Sequence, residues 1–438
     1  MLNIKKISSR DKNFSELINK YVTQRKESSS KIQNVVRNII SDVKLYGDDS
    51  LIKFSNEFDN FLVKNASEFE ISKKQITQSI DKISKEEKEA LEFSHKRIQE
   101  FSTKQRLESW DYTKDGIKLG EKITSLNKVG IYVPGGAAVY PSSVLMNSIP
   151  AKVAGVDEII MVSPSPNGDI NNLVLAAAYI GGVDKIFRIG GAQAIAALTY
   201  GTKTIPKVDK IVGPGNQYVA YAKKELYGEV GIDNFAGPSE ILVIADSSAN
   251  ISWLAADLFA QAEHDELAQS IIISPDKNLL KKLEEKMIKT LPKLKRKDIV
   301  ESSLNQFGIM INSKDISEAI KISNELAPEH LQLSIKNCEE YIEEVKNAGA
   351  IFLGEYSPEV FGDYCVGSNH VLPTVGTARF SSPLGVYDFQ KRSSIIKCSK
   401  ESSKVLAKHA STLANAEGLF SHKESAMLRS LQDEKNEK

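Results

Sequence analysis

Between residues 31 and 47 the chain reads KIQNVVRNIISDVKLYG, in which Ile32, Val35, Val36, Ile39, Ile40 and Val43 recur at three- and four-residue spacing. That spacing gathers them on one stripe and predicts a one-sided helix. KEEKEALEFSHKRIQEFS, further along, carries the same kind of pattern. Near residue 128 the period changes. Short β-branched runs over 129–133, 158–162, 185–189, 210–212 and 240–245 adjoin Gly- or Pro-containing turns and alternate with Ala-rich helical stretches. A second series follows, with helices over 251–266, 279–291 and 316–326 and strands over 270–274, 308–311 and 350–353. Strands alternating with helices at this spacing predict βαβ units and parallel sheets, hence an α/β chain with two doubly wound lobes. The two series leave room for a degenerate duplication, and 399–438 reads as a helical tail.

Composition narrows the picture. The 438 residues hold 57 basic and 57 acidic side chains, a formal net charge of zero, so no nucleic-acid partner is expected. The longest apolar stretch, 173–182, is far short of a membrane span. Cys338, Cys365 and Cys398 are few, scattered and without a Cys-x-x-Cys, which favours a reducing, cytoplasmic setting. The start MLNIKKISSRDKNF has no apolar core, so neither a signal nor a transit peptide is expected.

The chemistry concentrates on histidine. Of six histidines, four sit beside acids or amides: Gln261-Ala262-Glu263-His264, Glu329-His330, Asp363 with Asn369-His370, and Glu417 with His422. Imidazole beside carboxylate suits a metal site or a proton-transfer site. Gln261 and His264, three apart on an expected helix, share a face, with Asp257 and Asp265 placed to orient the imidazole. Further ligands must come from Asp363, His370 or His422, and zinc accepts such nitrogen and oxygen donors. Glu329 and His330, being adjacent, can serve one site only from a loop or helix end, or else form a charged surface turn. Gly135-Gly136, Gly190-Gly191 and Gly213-Pro214-Gly215 close strands at their carboxyl ends, where open α/β sheets bind ligands, though glycines there also simply make turns. Gly-x-Gly-x-x-Gly is absent. A zinc hydrolase and a structural zinc module remain alternatives at this point. Cys365 offers a rival nucleophile, but no histidine is placed to activate it.

The segments VGIYVPGG (129–136), GGAQAIAAL (190–198), VGPGN (212–216), AGPSEILVIAD (236–246), LAADLFAQAEHD (254–265), NELAPEHLQL (324–333), GDYCVGSNHVLPT (362–374) and AEGLFSHKES (416–425) run in order along most of the chain. Together they resemble the L-histidinol dehydrogenase family. The resemblance implies two incomplete Rossmann-like doubly wound α/β lobes with small helical N- and C-terminal extensions. It divides the chain into a helical arm (1–30), a first lobe with the metal and catalytic residues (31–127 plus 240–378) and a second, NAD-binding lobe (128–239). The helical extension (379–438) would be swapped onto a partner subunit. It implies one zinc ion per subunit on Gln261, His264, Asp363 and His422, which also face the substrate. NAD would contact Tyr132, Gln193 and Asn216; Ser239, His330, His370 and Glu417 would line the histidinol pocket; Glu329 and His330 would be the catalytic pair. The implied activity is oxidation of L-histidinol to L-histidinal and then L-histidine with two NAD, the last steps of histidine biosynthesis, in a cytoplasmic homodimer with shared active sites.

Overall fold

The computed structural model describes residues 2–18, 30–135, 139–234 and 237–430. Residues 19–29 of the expected arm, Gly136 and Ala236 lie outside the described residues. The chain separates into two units: Met1–Gln105 with Leu126–Phe389, and Arg106–Ser125 with Gln390–Lys438.

The larger unit holds two parallel sheets wound alike. In one, Lys128–Tyr132 is central, flanked on one side by Glu158–Val162 and Lys185–Phe187 and on the other by Lys210–Val212 and Gly231–Ile232. In the other, Glu240–Ala245 is central, with Gln269–Ser274 and Ile309–Asn312 on one side and His330–Ser334 and Ala350–Leu353 on the other. Each series therefore starts in the middle, adds two strands outward, then crosses back. This is the doubly wound order, present twice. Lys5–Ser8 joins Ile309–Asn312 as an added parallel edge.

Strand alternation explains why helices cover both faces. Ile241, Val243 and Ala245 pack with the helices Ile251–Ala262, Lys277–Thr290 and Lys297–Phe307, while Leu242 and Ile244 pack with Ile316–Leu326. In the other sheet Val129, Ile131, Ile159 and Met161 meet the helices Pro141–Ala154 and Asn172–Ile180. On its reverse face, Tyr132, Ile160 and Val162 meet Gly191–Tyr200 and Gln217–Leu226.

Three expectations change. The stripe of Val36, Ile39, Ile40 and Val43 on the helix Ser30–Tyr46 packs into the core around Tyr132 and Ile160, and Leu91 and Ile98 of Lys85–Gln105 join the core on that sheet's other face. The segment expected with the metal-bearing lobe thus covers the 128–239 sheet, whose crossover helices alone leave apolar surface open. The arm begins as a strand rather than a helix, because Leu2, Ile4 and Ile7 are buried at the sheet edge. In the smaller unit, Trp110–Lys114, Ile117–Ser125 and Gln390–Cys398 form an antiparallel sheet beside the helices Lys400–Ala416 and Phe420–Leu428, so the extension is not helical alone. Asp115 and Gly116, with φ of 52° and 74°, make the hairpin turn between its first two strands. Asp-Gly is the sequence signature of that turn.

One turn depends on a buried ion pair. Gly213 has φ 108°, and a Cβ there would lie 2.2 Å from the Tyr132 carbonyl, so only glycine fits. Asp233 accepts from the Gly213 amide (2.7 Å), while Lys223 pairs with Asp233 and donates to the Gly213 carbonyl (3.0 Å). Removing one partner strands the other charge in the interior. Lys223→Met should cost about 3–5 kcal/mol of stability, read as a fall in the urea midpoint. An unchanged midpoint would show that the pair does not hold the turn.

Candidate active site

The backbone of Glu240, the first residue of a central strand, organises the site. Its N–H donates to Glu329 Oε2 (2.8 Å), and its carbonyl accepts from His330 Nδ1 (2.8 Å). Parallel pairing sets His330 opposite Ile241, one residue along, so the ring can reach back to that carbonyl. A carbonyl only accepts, which places the proton on Nδ1 and leaves Nε2 as the basic nitrogen of neutral His330. Upstream, the helix Ile316–Leu326 ends at Ala327, held at φ 51° before Pro328, and the chain turns directly into Glu329 and the strand His330–Ser334. Both members of the pair are buried, Glu329 at 5% and His330 at 4% exposure, which rules out a surface turn.

More polar groups converge from one short helix. Glu359 and Asp363, one turn apart on Glu359–Tyr364, share a face. Glu359 Oε1 lies 3.5 Å from His330 Nδ1, and Asp363 Oδ1 lies 3.7 Å from His330 Nε2. Ligand atoms of His330, Glu359 and Asp363 all fall within 4.8 Å of one another. The Gln261 amide nitrogen donates to Glu359 Oε1 (2.8 Å) and to the Glu240 carbonyl (3.2 Å). The reverse orientation would set the amide oxygen against two acceptors. His370 bonds the Asp363 carbonyl through Nδ1 (2.8 Å), and its Nε2 lies 3.3 Å from Ser143 Oγ on a helix of the other sheet. The segment from Asp363 to Val375 thus ties the two lobes together: Asn369 donates to the Met146 carbonyl, and the Val375 amide to Glu240 Oε1.

The electrostatics follow from burial. Loss of water lifts Glu329 and Glu359 to about 8 each, in spite of His330 beside them. For His330 burial disfavours the charged ring, but Glu359, Glu329 and Asp363 outweigh it and hold the imidazole well above its ordinary range. Burial also opposes charge on Asp363; His330, His370 and His264 reverse this and hold its carboxyl below the usual range. Such an excess of buried carboxylates requires bound protons or a cation.

The second group of expected residues lies at another edge. Tyr132, buried at the carboxyl end of its strand, accepts from the Gly191 amide through its hydroxyl (3.2 Å), and burial pushes its phenol up to about 12. Gln193 is buried on the helix that Gly191 opens, its amide folded against Gly191. Asn216 caps the helix Gln217–Leu226, accepting from the amides of Tyr218 and Val219. These positions surround the point where the 128–239 sheet reverses its winding, the usual ligand crevice of such sheets. The Glu329–His330 cluster instead occupies the amino edge of its own sheet.

Two expectations change. The helix begun at Ile251 ends at Ala262, so His264 sits in the following turn, where its amide donates to the Gln261 carbonyl (3.2 Å). Asp257 accepts from Gln332 (2.8 Å) and Asp265 from the Leu267 amide (2.8 Å), so neither orients His264. Glu417 and His422 belong to the smaller unit, where both are exposed. Ser239 directly precedes Glu240, and its carbonyl accepts from the Gln269 amide (2.9 Å). Glu359 and Glu240 were missed by sequence reasoning; the four-residue spacing of Glu359 and Asp363 was the available signal. Among the described residues no helix is long and apolar enough to cross a membrane.

Residues 22–430 match the family model for histidinol dehydrogenase. The histidinol dehydrogenase of Dechloromonas aromatica is 50% identical over 430 residues, covering 98% of this chain and 99% of that protein. That of Methylococcus capsulatus is 51% identical over 427 residues, covering 97% and 98%. The crystal structure of histidinol dehydrogenase from Elizabethkingia anophelis superposes with a TM-score of 0.92 at 36% identity, covering 98% of each chain. The chain belongs to the histidinol dehydrogenase family, NAD-dependent oxidoreductases of the last two oxidations of histidine biosynthesis.

Proposed function

We propose that the chain performs both oxidations of L-histidinol at the Glu329–His330 pair. The observation that carries this reading is the backbone of Glu240, whose N–H holds the Glu329 carboxylate and whose carbonyl holds the His330 ring. In this reading zinc is held by Gln261, His264 and Asp363 together with His422 of the partner subunit. NAD lies against Tyr132, Gln193 and Asn216. Ser239, His330 and His370 line the substrate pocket, completed by Glu417 of the partner subunit. The donor chemistry around Asp363 suits a metal: its ligand atoms and those of His330 and Glu359 lie within 4.8 Å of one another, and Glu359 Oε2 is buried with no hydrogen-bond partner. The exposed apolar side chains Val405, Leu413, Phe420 and Leu428 on the smaller unit's helices support a homodimer. The free cysteines support a cytoplasmic setting.

Zinc on these residues would supply a centre that orients the imidazole and amine of histidinol, and NAD would supply the hydride acceptor for each oxidation. The carboxylates around His330 favour its charged ring, so it acts as a base in the neutral form reached once a cation offsets them; its Nε2 then takes the alcohol proton as hydride leaves the carbinol carbon, giving histidinal. Its Nδ1–H, fixed on the Glu240 carbonyl, keeps that nitrogen available. Glu329 then takes a proton from the water that adds to the aldehyde, and the hydrate loses the second hydride to give histidine. A carboxyl lifted to about 8 exchanges protons readily near neutral pH. Burial of the pair keeps the aldehyde from bulk water between steps.

Glu329→Gln should slow histidinal oxidation about 10²–10⁴-fold and histidinol oxidation much less, measured as separate half-reactions. Equal loss in both would count against its role as the base for water. His330→Asn should slow the first oxidation by a similar factor of about 10²–10⁴. A wild-type first oxidation in that variant would remove His330 as the alcohol base.

A further inference from the structure

Gln261 is fully buried in the last turn of its helix, with both amide hydrogens committed, one to Glu359 Oε1 (2.8 Å) and one to the Glu240 carbonyl (3.2 Å). An amide nitrogen so engaged has no lone pair to offer a metal. Only the carbonyl oxygen can ligate, and it must be turned away from both acceptors. The Glu240 carbonyl is already bonded to His330 (2.8 Å), whereas Glu359 Oε1 stays 3.5 Å from that ring, so the shorter bond of Gln261 is the one to Glu359. Glu359 itself is 2% exposed, and its second oxygen is buried without a partner. No folding requirement for a carboxylate here is evident, since a neutral side chain would fill the same space at lower cost.

We infer that Glu359 is a positioning residue for the metal site: it orients the Gln261 amide so that its carbonyl oxygen, not its nitrogen, faces the cation. The inference rests on Gln261 being a ligand. Groups that hold and orient metal ligands in this way tune affinity substantially.

The test is zinc affinity of the full-length protein, measured by competition with a chromophoric chelator, with urea unfolding and NADH binding as checks on the fold. Glu359→Ala should weaken zinc binding about 10- to 100-fold while NADH binding is unchanged. Glu359→Gln should recover most of that loss, because its side-chain oxygen can accept the same hydrogen bond. In a Gln261→Ala background, adding Glu359→Ala should cost little more, since the two act through one ligand. If Glu359→Ala does not fold, Glu359→Leu, which fills the volume without an acceptor, carries the same expectation. Wild-type affinity in a folded variant, or losses that simply add, would overturn the inference while leaving the metal site in place. A wild-type protein that binds no zinc would instead sink the reading of Gln261 as a ligand, and this inference with it.

Discussion

One residue, Glu240, fixes the relations among the clustered polar groups. The Glu240 N–H holds Glu329, its carbonyl holds His330 and Gln261, and its carboxylate anchors the Val375 amide at the end of the segment that bears Asp363 and His370. Glu240 opens a strand that is paired on both sides from Ile241 onward, so groups tied to it are held by the sheet. Glu329 and His330, anchored there, keep their geometry without relying on loop order. The cost is burial of Glu329 and Glu359, with the half-buried Asp363, around one imidazole, tolerable where protons or a cation balance the charge.

The two sheets repeat one winding but use opposite edges. The 128–239 sheet presents its glycine turns at the carboxyl edge, where backbone amides approach an anionic ligand. The other sheet places its chemistry at the amino edge, where the end of the helix Ile251–Ala262 and the start of the strand His330–Ser334 meet. Contacts from His370 to Ser143 and from Asn369 to Met146 cross between the lobes, so the two sheets are braced within one unit.

Much of this was legible in the chain. The strands over 158–162, 210–212, 240–245 and 350–353 stand where β-branched periodicity placed them, because buried parallel strands write themselves as short apolar runs. His330–Ser334 was missed: Pro328 and two charged residues read as a turn, although Leu331 and Leu333 alternate into the core. The sheet of the smaller unit was missed because its outer strands Trp110–Lys114 and Gln390–Cys398 are mostly exposed and show no apolar alternation, leaving Asp115-Gly116 as the signal. Gln261, Glu329, His330, Asp363 and His370 were singled out through residue type and family resemblance, and they lie near one another around Glu240 and Glu359. Glu240 was not, because its main role is played by its backbone, which no residue type encodes.

The most direct test is NADH yield from purified protein and L-histidinol, before chelation, after it, and after zinc is returned. The account predicts about two NADH per histidinol consumed, lost with the chelator and restored by zinc. About one NADH with histidinal released, or a full yield in metal-free protein, would contradict a single buried site that carries the substrate through both oxidations.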